Sequence, residues 1–185
     1  MRCASTWSVR LLAVILTGTL GACSHPPKLD LSADEQRSQL ALSVETSRYF
    51  PIPKEQSHCV ADAAQPQLSV DGVYQLLQWD GSMRNLLAAD RSVMIQSVNR
   101  CVQMTDIVVS LYELVRGSFS AKDQQALDSV IPTLSQSEKS CIGEKLSALG
   151  GAGDIYQLLV ADHDIPADPE QVFTTYTKAL TSCLS

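Results

Sequence analysis

Six cysteines and three histidines carry most of the chemistry open to this chain, and their spacing limits it. Cys59, Cys101, Cys141 and Cys183 fall into two pairs whose members stand equally far apart, 101 − 59 = 42 and 183 − 141 = 42 positions. With no Cys-Xaa-Xaa-Cys run and no histidine at ligand spacing from a cysteine, these thiols read as disulfides, not as a redox couple or a zinc site. His58 beside Cys59 points elsewhere on a helix. Asp162, Asp164, Asp168 and Glu170 around His163 offer oxygens at alternate positions, as a calcium loop does. Pro166, however, stands where a further ligand belongs, no glycine follows at the turn, and Asp168 is placed to cap a helix. Serines are numerous, but only His25, His58 and His163 could serve them as a base. No Gly-Xaa-Ser-Xaa-Gly elbow and no phosphate-binding glycine loop occurs. These residues lead to the expectation of no enzyme, no metal and no cofactor.

The remaining reactive thiol of interest is Cys23. Arg2 and Arg10, the apolar run Leu11 to Leu16 and small residues up to Ala22 have the three-part layout of an export signal. The apolar run is too short for a membrane span of roughly 20 residues. Leu20-Gly21-Ala22-Cys23 resembles the lipobox of bacterial lipoproteins. That resemblance implies a leader at 1–22, lipid on Cys23, a tether at 23–30, and attachment to the outer face of a membrane. Two or more acyl chains hold firmly, since each buried methylene contributes ~0.8 kcal/mol. Cleavage would leave 185 − 22 = 163 residues with 14 − 2 = 12 Lys plus Arg against 20 Asp plus Glu, a formal charge of −8. Such a balance argues against nucleic acid as a partner.

Overlaying the cysteine spans at an offset of 141 − 59 = 82 aligns both cysteines, Tyr74-Gln-Leu-Leu77 with Tyr156-Gln-Leu-Leu159, and Asp80 with Asp162. Upstream of each span lies a further echo, Leu31-Ser-Ala-Asp-Glu-Gln36 and Phe119-Ser-Ala-Lys-Asp-Gln124. Two copies of one unit follow, with boundaries at 31–117 and 118–185. A unit that folds alone closes its own bridge, so Cys59 pairs with Cys101 and Cys141 with Cys183.

These bridges must be held by helices. Ser32 and Ser120 can cap helix starts, with acidic first turns. Pro51 and Pro53 break the first copy after about Tyr49, and Pro132 breaks the second before a restart at Ser135. Helices are expected at Lys54 to Ala64, at Gln136 to Leu149, at each YQLL block, and after Asp168-Pro169-Glu170. The stripe Met94, Val98, Cys101, Thr105, Val108, Tyr112 and Val115 predicts one long amphipathic helix ending near Arg116, joining the units rigidly. The fold class is therefore all-α: two related disulfide-stapled helical units joined by that helix.

The Ser135, Glu138 and Cys141 helix start, leading to a second cysteine some forty residues on, resembles small exported proteins of actinobacteria. It implies an envelope location and stapled helices, and brings no catalytic residue with it. The expected function is a membrane-anchored binding or accessory subunit for another envelope protein. The alternatives are a carrier of a small apolar ligand between the units, and a hydrolase. Trp79 faces Ala161 in the overlay, so Trp79 with Met83 and Arg84 marks the expected partner-binding region.

Overall fold

The structure, a computed structural model, describes residues 30–47, 52–78, 83–159 and 168–184. Among these there are nine α-helices and no strand: α1 Ala33–Glu45, α2 Lys54–Ala64, α3 Val70–Gln78, α4 Ala88–Cys101, α5 Met104–Val115, α6 Ala121–Val130, α7 Gln136–Leu146, α8 Ala152–Leu159 and α9 Pro169–Cys183. None of them is long and apolar enough to cross a membrane.

Local chemistry sets where the helices begin. Ser32 accepts from the Glu35 N–H while the Glu35 carboxylate reaches back to the Ser32 N–H at 2.8 Å, and Ser135 with Glu138 repeats the box at 2.7 Å. Each such cap is worth ~1 kcal/mol. These hydrogen bonds hold both glutamates below the ordinary carboxylate range. Ser120 caps α6, and Asp168 caps α9 ahead of Pro169 in its first turn. After α7 the chain tightens through Ser147–Leu149 and turns at Gly150, whose φ of 105° is left-handed and favours glycine.

Helix ends recur at the same offset as the cysteines. Adding 82 to α2, 54–64, gives α7, 136–146; α3 begins at 70 and α8 at 152; α4 and α9 end at 101 and 183. The disulfides are Cys59–Cys101, tying α2 to α4, and Cys141–Cys183, tying α7 to α9. Helices α1, α2 and α4 pack in one row and α5, α7 and α9 in another. Across the rows α4 packs on α8, and α8 also touches α9. The buried apolar side chains of both rows form one continuous cluster that includes Leu40, Leu76, Met94, Ile107, Ile142, Ile155 and Tyr176.

The expected long helix is two. Val102, with φ −116° and ψ 122°, and Gln103, with φ −85° and ψ 151°, are extended and separate α4 from α5. β-branched Val102 accepts extended backbone readily. The break lets α4, with Met94 and Val98 buried, pack on α2 and α8 while α5, with Ile107, Val108, Leu111, Tyr112 and Val115 buried, packs on α7. Thus α5, read from the sequence as the end of the first unit, packs in the second row.

In that row α5 stands to α7 as α1 stands to α2. Gln65 at the end of α2 donates to Gln36 at the start of α1 at 3.2 Å, and Gly143 near the end of α7 lies against Met104 and Thr105 at the start of α5. Helix α6, the sequence echo of α1, buries no residue. It keeps the local signature of α1, since Gln36 donates to the Leu31 carbonyl and Gln124 to the Phe119 carbonyl, both at 2.9 Å. It has lost the apolar face: Leu40, Ala41 and Val44 correspond to Asp128, Ser129 and Pro132 at 124 − 36 = 88 positions on.

Asp128 holds α6 to α5. Its carboxylate accepts from Tyr112 Oη at 2.8 Å and from Arg116 Nε and Nη2 at 2.8 and 2.5 Å. The Arg116 hydrogen bond, then that of Tyr112, lowers its pKa to about 2. A depressed carboxylate stabilises above its unfolded pKa, near 3.8, and the contribution fades as pH falls through the folded value of about 2. Hydrogen-exchange protection of the α6 backbone amides is therefore expected to decline as pH falls from about 4 toward 2. Asp128→Asn should remove this pH dependence.

Candidate functional site

Cys23 and Trp79 lie outside the described residues, as do Asp162, His163 and Asp164 of the acidic stretch. Arg84 is exposed, in the short turn Met83–Asn85 that follows Trp79 in sequence. Met83 is a correction: only 5 % exposed, it faces inward and cannot serve a partner surface. It lines a cavity with Val44, Ile52, Met94, Val98, Ser47 and Tyr156, where the first row meets α8. The cavity measures about 20 Å³. About 10 to 15 Å³ on this measure is needed for one water, so this cavity has room for a single molecule of that size.

A second feature gathers the residue types of a hydrolase. Ser38 with Asp34 and Arg37 on α1, and His58 with Asp62 on α2, line one depression. All but half-exposed Arg37 are exposed, and Asp62 lies 3.9 Å from Arg37. Ser38 and His58 make no side-chain hydrogen bond to each other among the described residues. Among the described residues no group of His, Cys, Asp or Glu could hold a metal ion. Asp168 caps α9 by accepting from Gln171 N at 3.0 Å, as its sequence context implied.

The most constructed polar chemistry sits on α4. Near its start, buried Asp90 accepts from Ser69 N and Oγ, each at 2.7 Å, and so closes the beginning of α3. Gly72 leaves room for that carboxyl, since a Cβ there would stand 2.6 Å from it. Near its end Asn99 Oδ1 accepts from Gly153 N at 2.7 Å while Nδ2 donates to Asp154 at 3.0 Å. Asp154 in turn accepts from Gly151 N at 2.8 Å. One helix thereby caps α3 in its own row and α8 in the other.

Sequence reading missed both caps. Of the glycines in Gly150-Gly151-Ala-Gly153, Gly150 is the stop that follows Leu149. Gly151 and Gly153 instead let α8 approach α4, and the only signal for it was a second and third glycine beyond what a stop requires. Buried Tyr176 donates to the Val108 carbonyl at 2.8 Å, tying α9 to α5, and burial pushes its pKa up. Among the described residues the caps at Asp90 and Asn99 and the Tyr176 hydrogen bond each join one helix to another. Comparison with protein families, with curated proteins and with solved structures gives no match to this chain.

Proposed function

We propose that this chain is an envelope lipoprotein, anchored through lipid on Cys23 to the outer face of a membrane, that works as a non-catalytic binding or accessory subunit for another envelope protein. The observation that carries the compartment is the pair of disulfides, Cys59–Cys101 and Cys141–Cys183, downstream of the lipobox-like Leu20-Gly21-Ala22-Cys23. Such bonds persist outside the reducing cytoplasm. Binding is favoured because the polar side chains assembled inside the fold are engaged in helix junctions. The cavity at Met83 is too small for a carried ligand.

The partner region is taken to be that of Trp79 and exposed Arg84, close in sequence and of residue types enriched at interfaces. Confinement to a membrane plane raises the effective concentration of both proteins, so a modest interface suffices. The test compares Trp79→Ala with the parent, both lipidated and extracted in mild detergent. The variant should keep its helix content and both disulfides and lose at least tenfold in recovery of a protein that co-purifies with the parent. Equal recovery would place the interface elsewhere. Cys23→Ala should leave an uncleaved precursor or a form lost from the membrane fraction.

A further inference from the structure

Four features of the fold meet at one end of the first row. Leu31, where the tether joins the body, accepts from Gln36 Nε2 at 2.9 Å, and Gln36 accepts from Gln65 just past the end of α2 at 3.2 Å. From Gln65 the chain turns tightly, Gln67 and Leu68 both donating to the Ala64 carbonyl, and enters α3 at Val70. Ser69 is bonded to Asp90 in the first turn of α4, which Leu87 precedes. The tether's exit, the end of α2 and the starts of α3 and α4 are therefore neighbours. At this end Val70 and Leu87 are 63 % and 65 % exposed, the two most exposed large hydrophobic residues described.

We propose that this end of the molecule, through Val70 and Leu87, lies against the lipid surface and orients the protein on its membrane; the proposal rests on the lipid anchor at Cys23. The tether's length supports it. From Cys23 to Leu31 is eight residue steps, a reach of about 28 Å at full stretch. A folded body of this size has a radius of gyration of ~15 Å and is ~39 Å across, so the far end cannot swing down to the bilayer on such a leash. The lipid surface is a neutral one. Asp34, Glu35, Asp62 and Asp71 gather at this end against Arg37, which pairs with Asp34 and Asp62, so the balance stays negative and anionic headgroups would be repelled. Aliphatic side chains at a zwitterionic interface gain by leaving water without that cost. The start of α3 then faces lipid while its other end, Gln78, stands ~12 Å further along the helix.

The test uses the full lipidated chain in phosphatidylcholine vesicles whose acyl chains carry bromine, which quenches tryptophan on contact. In a Trp79→Phe background, Leu87→Trp places one reporter at the tether end and Gln78→Trp places one at the opposite end of α3. Both sites are exposed, so the fold should tolerate them, and circular dichroism checks it. Emission of the Leu87→Trp protein should shift to the blue and be quenched several-fold more than that of the Gln78→Trp protein, which also controls for the affinity of the indole itself. Equal quenching of the two, or none in either, overturns the orientation while leaving the anchor intact. Intact mass is measured on the same samples, and a mature chain without a diacylglyceryl group on Cys23 overturns the anchor and the orientation together.

Discussion

Removing either disulfide as a pair, Cys59→Ser with Cys101→Ser or Cys141→Ser with Cys183→Ser, should lower stability by about 4 kcal/mol and the melting temperature by about 12 °C. The estimate follows from loop closure. Each bridge spans 42 positions, so each removes the same conformational freedom from the unfolded chain. Equal loops predict nearly equal losses from two different places in the fold. Any inequality then measures what the native packing adds. Cys101 ends α4 at the two-residue break before α5, so its release also frees the joint between the rows. Cys183 ends α9 and stands at no such joint between the rows. The expected order is a slightly larger loss for the first bridge, read by thermal and urea unfolding of the two double variants beside the oxidised parent. A loss under 1 kcal/mol for both would mean that the helix contacts alone hold the rows and that the bridges act only during folding.

The elements legible in the sequence are those whose ends carry side-chain signals. Ser32 with Glu35, Ser135 with Glu138, and Asp168 with Pro169 each announce a helix start, and α1, α7 and α9 begin where they say. The joint between α4 and α5 carries none. Gln103 caps α5 without any side-chain hydrogen bond, and the apolar stripe runs past it in nearly unbroken phase. Periodicity registers which face is apolar and is blind to whether the backbone is continuous. Helix α6 was legible in part: its start copies that of α1, yet Asp128 in place of Leu40 already told that its inner face had gone. The pairing of α5 with α7 depends on which apolar faces meet, and nothing local in either helix names the other. For the candidate site the sequence supplied Arg84 on the surface and placed Met83 wrongly, because residue type alone does not separate a methionine that fills the junction of two rows from one that meets a partner.

The junction between α4 and α8 gives the sharpest test of how the rows are held. A Cβ at Gly153 would stand 2.5 Å from the Ile95 carbonyl oxygen and 3.0 Å from Ile95 Cα, both backbone atoms of α4. Backbone cannot step aside, so Gly153→Ala should push the helices apart and cost about 3 kcal/mol, of which better helix propensity returns only about 1. At Gly151 every near atom belongs to the Asn99 side chain, with Cγ at 2.6 Å. That side chain can swing away, but only by giving up its hydrogen bonds to Gly153 and Asp154. Gly151→Ala should therefore cost what Asn99→Ala costs, about 1 to 2 kcal/mol for a lost cap. The double variants separate the two cases. Once Asn99 is alanine, Gly151→Ala should add almost nothing, because the obstacle is gone and the cap already lost. Gly153→Ala in the same background should keep most of its cost, since the Ile95 carbonyl is still there. Urea unfolding of the three single and two double variants reads both couplings, and full additivity of Asn99→Ala with Gly151→Ala would show that α8 does not approach α4 as closely as these contacts require.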